Sequence, residues 1–91
     1  MPARLLRIEG RVQGVGYRDW MGREALRLGL DGWVRNRADG SVQALVAGPE
    51  AGVQALLAAA HRGPVLARVD SIAETPAEPP AKPGFLRLPT G

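Results

Sequence analysis

Gly10-Arg11-Val12-Gln13-Gly14-Val15-Gly16-Tyr17-Arg18 is the stretch on which the reading of this chain turns. It stands between a short run of alternating apolar residues and a helical pattern. Its glycines leave the backbone uncovered, and glycine can take the positive φ that a tight concave turn needs. The helix that follows adds unpaired N–H groups and a partial positive charge at the same place, which together make an anion site. Arg18 brings a permanent charge and a planar fork of donors suited to a phosphate or a carboxylate. The stretch therefore reads as an oxyanion cradle.

Upstream, residues 3–10 alternate, with Leu6 and Ile8 set against Arg7 and Glu9, the period of a half-buried strand. Downstream, Tyr17, Met21, Ala25 and Leu28 fall on one face of a helix and leave Asp19, Arg23, Glu24 and Arg27 to water. Gly29 follows as the residue just past the helix end. Residues 30–36 and 41–48 read as two strands, the second with Val42, Ala44 and Val46 on one face. Asp39-Gly40 between them is a hairpin signal. Pro49 and Glu50 open a second helix with Val53, Leu56, Leu57 and Ala60 as its apolar face, ending at His61 before Gly63-Pro64. Residues 65–75 read as a long strand, residues 76–83 as a proline-rich loop, and residues 84–88 as a short final strand.

That order is the β-α-β-β-α-β pattern of ferredoxin-like folds. It predicts an α+β domain spanning residues 1–91, an antiparallel sheet with two helices on one face and a short extra C-terminal strand. Ninety-one residues, 45% of them hydrophobic, suit one small core. The absence of cysteine leaves no disulfide or thiolate metal site, and His61 alone argues against a histidine-based one. No apolar run approaches the roughly 20 residues that span a bilayer. The N-terminus Met-Pro-Ala-Arg-Leu-Leu lacks the apolar segment of a secretory signal. A cytoplasmic monomer with no membrane partner is the expectation. The net charge is +3, and every basic residue but Lys82 is arginine. These arginines are dispersed, not clustered, which weakens a nucleic-acid reading.

Two signatures carry a family resemblance. Gly10-x-Val12-Gln13-Gly14-Val15-x-Tyr17-Arg18 is followed by Gly29-Leu30-x-Gly32-Trp33-Val34-x-Asn36-x-x-Asp39-Gly40-Ser41-Val42, and Gly63-Pro64 then precedes Ala67-Arg68-Val69. Together they resemble the acylphosphatase family over nearly the whole chain. The resemblance implies hydrolysis of acyl phosphates to a carboxylate and inorganic phosphate, with no metal and no cofactor. It implies that Arg18 and the loop N–H groups of Gln13, Gly14, Val15, Gly16 and Tyr17 hold the phosphate, and that Asn36 holds the attacking water. In that fold the first strand lies close to the strand ending at Asn36, which lets the loop and Asn36 face each other. Tyr17 stands where the family usually has phenylalanine, and Gln43 where an acidic residue is common.

The chemistry of those residue types agrees with the roles. Phosphoryl transfer asks mainly for positioning and for charge stabilisation on the equatorial oxygens. Arg18 and a ring of amides meet that demand. An asparagine amide can orient water but is no base, so the substrate's own phosphate is left to take the proton. Alone, Arg18 would read as a solvated helix-start arginine and Asn36 as a turn residue. Gln13 serves the loop conformation or the site wall, and Arg11 and Arg35 add field. Two other functions compete. A ferredoxin-like RNA-binding module would need aromatics on its central strands, and the hairpin offers only Trp33. An acylphosphatase-like domain without activity, serving in binding or regulation, is the alternative to an enzyme.

Overall fold

The period-two alternation of β1 (Ala3–Arg11) sorts its side chains onto two faces of a sheet, and everything else packs by that division. A computed structural model describes residues 2–91. β1 is followed by α1 (Tyr17–Arg27), β2 (Asp31–Asn36), β3 (Val42–Ala47), α2 (Glu50–Ala60), β4 (Arg68–Pro76) and β5 (Phe85–Arg87). The strands form one five-stranded sheet in the order β4-β1-β3-β2-β5. β1 pairs antiparallel with β3 and β4, and β2 antiparallel with β3. β5 pairs parallel with β2, so the ferredoxin-like sheet is mixed at that edge.

Leu6 and Ile8 of β1, Val34 of β2 and Val42, Ala44 and Val46 of β3 point to one face and are fully buried there. They meet Tyr17, Met21 and Ala25 of α1 and Val53, Leu56, Leu57 and Ala60 of α2 in a single cluster, which puts both helices on that face. A smaller cluster of Ala3, Leu45 and Ala47 covers part of the opposite face, with Leu5 and Trp33 against it. Trp33 thus serves packing, and Arg35 lies over its ring at 5.1 Å. No helix among the described residues is long and apolar enough to cross a membrane.

Where the chain departs from the sequence expectation, local hydrogen bonding is the reason. The strand expected over residues 65–75 begins only at Arg68. Ala67 N–H donates to the Pro64 carbonyl at 3.0 Å, closing a turn that leaves Val65 and Leu66 exposed despite their apolar character. At its other end β4 takes in Pro76, expected in the loop, which pairs with Arg4. β4 is an edge strand, where a residue without an N–H costs no ladder bond. β1 carries a register shift between Glu9 and Gly10 against β4, and this bulge bends the strand end that leads into the loop.

Gly32 shows how tightly β2 lies on β3. Its φ is +140°, and a Cβ there would stand 1.8 Å from the Leu45 carbonyl oxygen. Backbone must move to admit any side chain. Gly32→Ala is expected to lower stability by about 3 kcal/mol or more in urea denaturation, the combined effect of backbone strain and overpacking. An unshifted midpoint would mean that this crossing relaxes freely.

Candidate functional site

The loop between β1 and α1 closes at Gly16, which stands at the N-cap of the helix in the left-handed region, φ 79° and ψ 19°. Glycine alone takes that conformation without strain, and it brings no side chain to cap the helix. Trp20 N–H finds the Gly16 carbonyl at 3.0 Å. Among the described residues, the N–H groups of Gly14, Val15, Gly16, Tyr17, Arg18 and Asp19 donate to no backbone or side-chain acceptor. A run of open amides at the positive end of a helix is a site for an anion.

What keeps the loop from collapsing onto those amides is anchored well away from them. Val12 and Val15 are buried in the main core, and Tyr17 is buried below them. The Gln13 side chain reaches across to the β2–β3 hairpin, where its Nε2 donates to the Arg37 carbonyl at 2.8 Å and the Ser41 carbonyl at 2.9 Å. The hairpin end is itself fixed by Asp39, which accepts from Ser41 Oγ at 2.7 Å, from Ser41 N–H at 2.9 Å and from Arg7 at 2.7 Å. The Ser41 hydrogen bonds, with Arg7 beside them, hold the Asp39 carboxyl well below the usual carboxylate range. This tether matters because β1 and β2 are not neighbours: β3 lies between them. The two strands are close, as expected, with one strand between them, and the loop after β1 is tied across that strand by Gln13.

A cavity of about 190 Å³ opens above the loop. Gly14, Gly16, Tyr17 and Arg18 line it from the loop side, and Asn36 from the end of β2. Of the residues expected to hold phosphate, Gln13 and Val15 turn their side chains elsewhere, to the hairpin and to the core. Arg18 is half-buried and forms no ion pair with any described carboxylate. Asn36 alternates with Arg35 and points to the same side as buried Val34. Its Oδ1 is buried and has no hydrogen-bond partner. A buried acceptor left unpaired costs about 1–3 kcal/mol, which makes this oxygen an exception within the fold.

One wall was not foreseen. Arg87 of β5 also lines the cavity, and its guanidinium is ion-paired with Asp19 in the first turn of α1. Asp19 is well placed for the helix dipole but would repel an anion at the same helix end. Arg87 offsets that charge and leaves Arg18 as the net charge of the site. No local pattern around Arg87 signals this, because it depends on β5 docking parallel to β2, 68 residues beyond its partner. No three His, Cys, Asp or Glu side chains gather as a metal cluster among the described residues.

A family model described as Acylphosphatase matches residues 5–86. The chain belongs to the acylphosphatase family. It is 60% identical over 91 residues to an acylphosphatase from Acidiphilium cryptum, covering 100% of both chains. It is 54% identical over 90 residues to one from Rhodospirillum rubrum, covering 99% of both. Its fold is similar to the crystal structure of an acylphosphatase from Bacillus subtilis, with a TM-score of 0.91 and 35% identity over 97% of this chain and 99% of that one. Acylphosphatases are hydrolases, and the enzyme reading of the sequence stands on these relatives.

Tyr17, the position where the resemblance leads one to expect phenylalanine, uses its extra hydroxyl. The Oη–H donates to the Ala60 carbonyl at the end of α2 at 2.7 Å, and the ring lies 5.4 Å from that of Trp20. One of the carbonyls left over at a helix end is satisfied, and the floor of the loop is fixed to the second helix. Burial pushes the Tyr17 phenol well above its ordinary value of 10.0. The folded chain therefore keeps a proton that the unfolded chain loses near pH 10. Stability is full below that pH and falls above it, by up to about 1.4 kcal/mol per pH unit. Tyr17 is the sole tyrosine, so tyrosinate absorbance is expected to rise only as the protein unfolds, and Tyr17→Phe to remove the alkaline slope. Titration of the phenol near pH 10 with the fold intact would contradict its burial.

Proposed function

We propose that this chain hydrolyses acyl phosphates by holding the phosphate at Arg18 and the open amides of residues 14–18, with a water oriented by Asn36. The observation that carries the reading is that Asn36, whose Oδ1 is buried without a protein partner, lines the same cavity as an unpaired arginine and an uncapped helix start. Arg18 lays its planar fork on the phosphoryl oxygens, and the amides take up the charge that develops on them. Asn36 Oδ1 accepts from the water and turns a lone pair toward phosphorus. The water oxygen bonds to phosphorus as the bond from phosphorus to the acyl oxygen breaks. The carboxylate leaves, and the water's proton passes to a phosphoryl oxygen. A mixed anhydride has a good leaving group, so positioning and charge stabilisation suffice. Gln13 acts by holding the loop, and Val15 and Tyr17 by seating it. The chain acts in this reading as a cytoplasmic monomer on a small-molecule substrate, with inorganic phosphate as product and inhibitor.

The test is hydrolysis of benzoyl phosphate by purified protein in excess chelator, with inorganic phosphate as competitor. Asn36→Ala is expected to cut kcat by about a hundredfold or more while the inhibition constant for phosphate stays within about threefold, because only water orientation is removed. Arg18→Ala, and Arg18→Lys almost as severely, should raise that inhibition constant as well as abolish turnover, since a point charge does not replace the fork. Near-normal turnover in Asn36→Ala would end the water-holding role. No turnover by folded wild-type protein would sink both roles and favour a silent binding domain.

A further inference from the structure

A second cavity, of about 260 Å³, adjoins the first, and Arg18, Asp19 and Arg87 line both. It lies between α1 and β5, with Gly22, Arg23 and Leu26 on the helix side and Phe85 on the strand side. Asp19, Gly22, Arg23 and Leu26 are spaced as one stripe of a helix. A stripe with that spacing is normally covered when it faces a neighbouring strand. This one is open, and Leu26 is 66% exposed.

Gly22 is the residue that asks for an explanation. Glycine in a helix interior is less favourable than alanine, because it gives up more backbone freedom on folding. It is usually kept where a neighbour packs against bare backbone, yet a Cβ at Gly22 would meet nothing within 4 Å. Its missing side chain makes no room for any part of the protein. It deepens the groove where that groove leaves the site. The charges point the same way. Three arginines, Arg18, Arg23 and Arg87, face one carboxylate, and Asp19 is already engaged by Arg87. Arg23 forms no ion pair with any described carboxylate. It stands five residues along the helix from Arg18, a rise of about 7.5 Å.

We propose that this groove receives the acyl part of the substrate and reads a second anionic group on it through Arg23, so that the preferred acyl phosphates carry a carboxylate or a further phosphate at the far end of the acyl chain. The inference rests on the assignment of the phosphate to Arg18 and the start of α1. From there the acyl chain passes the Asp19–Arg87 pair, crosses the bare backbone at Gly22 beside the Phe85 ring, and brings its second anion to Arg23. Arg23 touches none of the reacting atoms. It acts on recognition, and its effect belongs in KM and not in kcat.

The experiment compares 4-carboxybenzoyl phosphate with 4-methylbenzoyl phosphate, two substrates alike in ring and size that differ by one negative charge. Wild-type KM is expected to be about tenfold lower for the carboxylated substrate, as for one charge-assisted contact at a partly exposed site. Arg23→Gln should bring the two KM values within about twofold of each other, and Arg23→Glu should reverse their order, without a matching change in the ratio of kcat values. Gly22→Leu, which also favours the helix, should raise KM for both ring substrates while inorganic phosphate still inhibits. Equal KM values in the wild type, or a preference that survives Arg23→Gln, would overturn the groove and leave the phosphate site standing. Failure to hydrolyse either compound would take down the phosphate assignment and the groove with it.

Discussion

A helix start whose amides must stay unpaired is the constraint on which the rest of this structure depends. Left alone, a glycine-containing loop would turn its N–H groups onto its own carbonyls or bury them in a cap. Here Gly16 supplies the left-handed turn without a capping side chain. The loop is then held by groups that point away from the cavity. Val12 and Val15 are rooted in the core, Gln13 is tied to two hairpin carbonyls, and Tyr17 is tied to the end of α2. Under the proposed function this arrangement is preorganisation: the donors are fixed before the phosphate arrives, so little reorganisation accompanies binding.

The same logic explains why the open polar atoms are few and grouped. Asn36 Oδ1 is the buried side-chain acceptor without a partner among the described residues. It sits at the end of β2, where pairing with Val42 and the Gly91 N–H on its carbonyl fix the backbone. A side chain on a fixed backbone cannot easily turn away to satisfy itself. The local destabilisation is borne by the two-helix core beneath it, where Leu6, Ile8, Met21, Val34 and Leu56 are fully buried.

The sequence made the main architecture legible because both periods were clean. Alternation in β1 and β3 and the four-residue spacing of Tyr17, Met21 and Ala25 reported the buried faces directly. The glycines of the loop and Arg18 read as an anion cradle from their own chemistry, whereas Asn36 is singled out only by the family resemblance, since alone it reads as a turn residue. What stayed hidden was long-range. Alternation at Val65 and Leu66 imitates a strand, but the Pro64 carbonyl captures the Ala67 amide first. Gln13 looks like a loop residue until its partners, 24 and 28 residues away, are in place. Arg87 reads as one more surface arginine until β5 docks beside β2 and delivers it to Asp19.

The basic composition resolves in the same way. Arg4, Arg7, Arg27, Arg68 and Arg87 all find carboxylates, and exposed pairs of this kind contribute little to stability. Arg35 and Arg37 share the Gln43 amide oxygen, at 2.8 and 3.0 Å, where an acidic side chain would have formed a salt bridge. Arg18 is treated differently: half-buried, facing a cavity, with neither a carboxylate nor an amide of the protein to neutralise it. A net charge of +3 says only that anions are welcome somewhere. Arg11, Arg23 and Arg62 also lack a carboxylate among the described residues, so pairing alone does not single out Arg18. What sets Arg18 apart from those three is its place in the cavity that Gly14, Gly16 and Asn36 also line.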